Sequence, residues 1–135
     1  MSAQYSSKHG YVGRSPMELY MVFTDLRNFK AMMPANEEVS IEADYDTLTA
    51  TAKGMTFALK AKERQPYSKI SLESFNSPLN FAIDFNFKDV GGGRTEFYID
   101  VDAQISGMIK MMIGGKIKDA LDKIVDGVVS AGAQF

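Results

Sequence analysis

Between Val39 and Ile105 the chain alternates apolar and polar residues with a period of two, a pattern that predicts strands with one buried face. Val39, Ile41 and Ala43 share one side, as do Leu48, Ala50 and Ala52, then Met55, Phe57, Leu59 and Ala61, then Ile70 and Leu72. The two cleanest runs come last: Leu79, Phe81, Ile83, Phe85 and Phe87, then Phe97, Ile99, Val101, Ala103 and Ile105. One dry face and one wet face mark an antiparallel sheet. Turn residues separate the runs at Tyr45-Asp46, Lys53-Gly54, Gln65-Pro66-Tyr67, Asn76-Ser77-Pro78 and Asp89 through Gly93.

Helical signals flank this block. Tyr5 to Val12 alternates weakly and predicts a first strand. Ser15, Pro16 and Glu18 then form the N-cap, N1 and N3 positions of a capping box. Leu19, Phe23 and Leu26 follow at helical spacing, and a second short helix is expected over Phe29–Met33, stopped by Pro34. From Ser106 to Ser130 a helix is predicted with an apolar stripe of Ile117, Ala120, Leu121, Ile124 and Val128. On the same wheel Met108, Met111 and Met112 fall on the polar side and Lys110 on the apolar side. One straight helix cannot bury both sets, so a break is expected at Gly114-Gly115, where each glycine costs roughly 1 kcal/mol relative to alanine. The Met-rich piece would then act as a lid or a partner contact. The order strand, two short helices, six strands, long helix predicts an α+β fold. A curved antiparallel sheet of about seven strands wraps the C-terminal helix in one domain spanning residues 1–135.

Composition narrows the function classes. With 15 Lys+Arg against 17 Asp+Glu, the net charge of -2 lacks the positive field that nucleic-acid binding needs. Zero cysteines rule out thiolate metal sites, disulfides and a cysteine nucleophile. A single histidine rules out a His-rich metal site, and no cofactor is expected. The start carries no apolar signal-peptide core and no apolar run reaches the ~20 residues of a membrane span. The expectation is a cytoplasmic protein with no integral membrane association, its state between monomer and weak dimer left open.

Few polar residues suggest chemistry. His9 has no companion nucleophile motif and reads as a surface residue, so His9→Ala should leave function intact. Gly91-Gly92-Gly93-Arg94 lies between two strands, which suits a hairpin and not a phosphate loop. Lys53, Lys60, Lys62, Arg64 and Lys69 read as a solvated face, and Asp44 with Asp46 and Asp100 with Asp102 as surface carboxylates. Glu63 falls in the inward register beside a strand end that has lost its register. Tyr45, Glu63, Ser74 and His9 are the only polar groups that could face inward.

Val22 through Phe29, Glu63 through Ile70 and Glu73 through Pro78 resemble stretches of small bacterial members of the START-like, or helix-grip, superfamily of SRPBCC and polyketide-cyclase type. The resemblance covers almost the whole chain but rests on turn and core residues. It implies an apolar cavity between the sheet and the last helix that often holds a hydrophobic small molecule, and it implies no single reaction. The expectation here is binding of a hydrophobic small molecule or lipid without catalysis. The cavity would be lined by Phe57, Leu59, Phe81, Ile83, Phe85, Ile99, Val101, Met108, Met112, Ile113 and Ile117. The alternatives within the superfamily are a cyclase or hydrolase-like enzyme, and an interaction domain resembling Hsp90-ATPase activators. Residue pattern alone does not separate a cavity from a filled core.

Overall fold

The computed structural model describes residues 2–28, 39–52, 55–75, 80–104 and 107–132. The expected helix at Phe29–Met33, Pro34, Leu79, Ile105 and the turns at Lys53-Gly54 and Asn76-Ser77-Pro78 lie outside them. In chain order the elements are β1 (Ser2–Ser6), β2 (Gly10–Val12), α1 (Pro16–Phe23), β3 (Val39–Ala43), β4 (Thr47–Ala52), β5 (Met55–Gln65), β6 (Lys69–Phe75), β7 (Asn80–Gly91), β8 (Arg94–Gln104) and α2 (Gly107–Gly132). The strands form one antiparallel sheet in the order β1-β8-β7-β6-β5-β4-β3, with β2 also paired to β8. This is the helix-grip arrangement expected from the pattern.

The expected first strand is two strands. Ser6 pairs with Asp100 and Gly10 with Phe97, so Lys8 and His9 crowd opposite Tyr98 alone. Ser7 bridges the irregularity: its N–H donates to the Ile99 carbonyl at 2.8 Å, and its Oγ accepts the Ile99 N–H at 2.8 Å. Such a bulge re-aims the strand, and here it carries β2 under the far end of α2.

The capping box forms as the spacing requires. Ser15 is extended (φ -71°, ψ 156°) and its Oγ accepts the Glu18 N–H at 3.2 Å, with Pro16 entering the helix behind it. Leu19, Phe23 and Leu26 are all fully buried. They join one core cluster with Phe87 and Phe97, and the Phe23 ring stacks 6.5 Å from Phe87 and 6.4 Å from Phe97.

The glycine run is a hairpin. Gly92 and Gly93 have φ of +66° and +72°, the left-handed pair that a tight turn between twisted strands demands.

α2 corrects the expected break. It runs as one helix through Gly114 and Gly115, and Gly115 does not adopt a positive φ. At 26 residues it spans about 39 Å. Cooperativity along such a helix, with its C-terminal half packed on the sheet, outweighs roughly 1 kcal/mol per glycine. The wheel argument holds in another sense: the two sets are not both buried. Leu121, Val125 and Val128 are buried, while Met108 and Met111 stand 74% and 89% exposed. Val125 takes the place assigned to Ala120, which is exposed.

Candidate functional site

The inward face of the sheet divides into two ends. One is sealed. Phe85, Phe87, Phe97, Ile99 and Ile70 are buried to 5% exposure or less beneath α1 and the C-terminal half of α2. Phe85 stacks on Phe97 at 6.3 Å, and Phe87 lies 5.5 Å from the same ring. At the other end lie the starts of β5 and β7, and there apolar side chains face inward without being sealed. Phe57, Phe81, Ile83, Ile41 and Ile117 are all half-buried. Phe57 meets Phe81 edge-on at 6.4 Å. Leu59 and Val101, each at 7%, lie between the two ends.

Among the expected lining residues, Phe57, Phe81 and Ile83 therefore lie at the half-buried end, and Ile117 of α2 packs half-buried against the core. Phe85 and Ile99 belong to the sealed core. Met108 is solvent-facing and does not join them. Met112 and Ile113 lie in α2, but their side chains are outside the described set.

The polar candidates go elsewhere. His9 is exposed on the outer face. Its Nδ1 lies 2.7 Å from Glu96 Oε1, and its ring stacks on Tyr98 at 4.3 Å and 5°. Tyr45 is 46% exposed at the β3–β4 turn. Ser74 does face inward, and its Oγ accepts the Phe81 N–H at 3.0 Å. Asp44 organises the β3–β4 turn by accepting the Asp46 N–H, the Thr47 N–H and the Thr47 hydroxyl. Hydrogen bonds from Thr47 hold its carboxyl below the usual range. The side chain of Arg27 does the same for Asp25. On the outer face Asp100 accepts from Ser6 Oγ at 2.8 Å and from Asn86 Nδ2 at 3.2 Å.

Glu63 and Arg64 exchange the roles expected of them. Ala61 pairs with Leu72 but Glu63 with Ser71, so one extra residue bulges from β5 between them. The slip turns Glu63 outward, where it is exposed, and brings Arg64 into the inward register opposite Ile70. Arg64 is not part of a solvated lysine face. Its guanidinium donates to the Thr24 carbonyl at 2.8 Å and to the Tyr45 carbonyl at 3.0 Å, and it pairs with Asp46 at 2.9 Å. It also lies 4.7 Å over the Tyr45 ring. Thr24 caps the C-terminus of α1, where a cation is favoured. Arg64→Met should cost roughly 1.5–3 kcal/mol, the range for hydrogen bonds from a charged donor. Urea unfolding measures it, and a loss under about 0.5 kcal/mol would mark the clamp as incidental.

No protein-family model matches the sequence, and no curated protein matches it either. Solved structures do match over the whole chain. Norcoclaurine synthase from Thalictrum flavum, in complex with dopamine and hydroxybenzaldehyde, superposes with a TM-score of 0.76 at 11% identity. The match covers 99% of this chain and 88% of that one. The Zhui aromatase/cyclase from a Streptomyces species gives 0.73 at 12% identity, covering 99% and 95%. A protein from Thermus thermophilus gives 0.71 at 12% identity, covering 98% of each chain. At these identities the likeness is one of fold.

Proposed function

We propose that this chain, which has the START-like helix-grip fold, binds one hydrophobic small molecule or lipid between the sheet and α2. The observation that carries the reading is the unsealed end of the inward face, where Phe57, Phe81, Ile83 and Ile117 remain half-buried while the opposite end is closed. Covering a further ~100 Å² of such surface contributes about 2.5 kcal/mol before the cost of immobilising the ligand. The similar structure of norcoclaurine synthase, in complex with dopamine and hydroxybenzaldehyde, supports small-molecule binding on this architecture. Binding is favoured over turnover because the described inward polar groups do not converge: Ser74 and Arg64 are each engaged by backbone atoms, and the Tyr5 hydroxyl has no polar partner among the described residues. No described helix is long and apolar enough to cross a membrane. A cytoplasmic carrier is the setting we favour, because a cysteine-free chain suits a reducing compartment.

Calorimetry with a panel of fatty acids, sterols and flavonoids should find at least one partner at one-to-one stoichiometry. At a hundred times its dissociation constant that partner should stabilise the fold by about 2.7 kcal/mol. Ile83→Trp, which fills the half-buried end, should weaken the same partner by about tenfold or more while leaving unfolding cooperative. A panel with no heat and no stabilisation sinks the reading.

A further inference from the structure

Tyr5 lies in β1 opposite Val101, in the inward register, and packs against the core. Its residue surface is only half-buried, yet its hydroxyl oxygen is sealed from solvent and has no hydrogen-bond partner among the described residues. A hydroxyl left in that state costs free energy that a phenylalanine of the same shape would avoid. Its neighbours across the sheet offer nothing to bond: the row runs Tyr5, Val101, Ile83, Leu72.

The position of this oxygen matters. Lys8 donates its N–H to Asp122, and Gly10 lies against Val125 and Val129. Earlier residues of β1 therefore sit under earlier residues of α2, toward Ile117. Ile83 stands two strands from Tyr5 in the same row, about 10 Å away at the usual strand spacing. Tyr5 thus borders the half-buried end of the inward face.

We propose that Tyr5 is the polar anchor of the pocket. The ligand carries a neutral hydroxyl or carbonyl oxygen on an otherwise apolar skeleton, and that oxygen pairs with the Tyr5 hydroxyl when bound. This rests on the binding reading above and adds the chemical class of the ligand. A neutral oxygen fits because a carboxylate placed in this apolar row of Tyr5, Val101, Ile83 and Leu72 would lose its hydration with no cation among the described residues of the row to replace it. Arg64, a cation in the inward register, is already committed to Thr24, Tyr45 and Asp46. A pure hydrocarbon would leave the phenol as unpaired as it is in the free protein.

The test uses naphthalene and 2-naphthol, which share a ring system and differ by one hydroxyl, titrated into the wild-type chain and Tyr5→Phe. The variant should bind 2-naphthol about tenfold more weakly and naphthalene unchanged. Without ligand it should unfold at the same urea concentration or a higher one, because no native hydrogen bond is removed. Equal changes for both probes, or a less stable free variant, overturns the anchor and leaves the pocket standing. If neither probe binds the wild-type chain, the pocket reading falls and the anchor falls with it.

Discussion

Phe97→Ala should lower the unfolding free energy by about 3–5 kcal/mol, the range for emptying a buried phenylalanine site. The ring is fully buried and meets three others, Phe23, Phe85 and Phe87, contributed by α1 and β7. Neither a helix nor the middle of a sheet collapses readily into the space left behind. A loss of that size is a large fraction of the roughly 5–15 kcal/mol that holds an ordinary domain together. Urea unfolding measures it as a fall in the midpoint with the slope unchanged. Phe57→Ala supplies the contrast. That ring is only half-buried, so its removal should cost less than half as much. Equal losses at the two positions would remove the distinction between a sealed and an unsealed end, and with it the basis for placing a ligand.

Gly10→Ala should cost about 1–3 kcal/mol, an overpacking penalty with no hydrogen bond broken. A Cβ built on Gly10 would stand 2.6 Å from Val125 Cγ1 and 2.8 Å from Val129 Cγ2. Both are β-branched residues on a helix, where one χ1 rotamer dominates, so neither can swing aside cheaply. The helix itself must lift from β2. Val125→Ala should partly rescue the change, making the double variant less destabilised than the sum of the singles. Strict additivity would show that the helix does not rest on Gly10.

The sheet was legible because its strands turn one face toward the core, and that imposes a period of two on the sequence, clearest in the burial of Phe97–Ala103. The start of α1 was legible because Ser15, Pro16 and Glu18 act through local backbone chemistry. Features that depend on one element meeting another were not. The bulge after Ala61 leaves no local mark beyond Glu63 standing in a wrong register, and that clue identified the slip without saying that Arg64 would turn in. Val125, and not Ala120, is buried in α2 because the helix packs its valines over Gly10, a contact between residues more than a hundred positions apart. Gly114-Gly115 misled because propensity is weighed residue by residue, whereas a docked helix is held as a unit. The candidate site was half visible: Phe57, Phe81, Ile83 and Ile117 carry the pattern of a buried face. Which inward residues are sealed depends on where α1 and α2 come to rest. The isolated hydroxyl of Tyr5 could not be found without its surroundings.

The strand order has a consequence for how the chain assembles. β8 joins β7 through two glycines, a closure that needs almost no loop entropy. Its other edge waits for β1 and β2, and the bond from Ser6 to Asp100 closes over 94 positions. During synthesis β1 and β2 therefore have no partner until β8 has emerged. Pairing so remote in sequence belongs to the slow, late part of folding. By the same token this seam is a candidate to part first under stress. If it parts while the rest holds, the bare 11-residue edge of β8 becomes available to a neighbouring molecule. The grip of α2 on β1 and β2 is thus also a guard against aggregation: it keeps two early strands pinned to the last strand of the sheet.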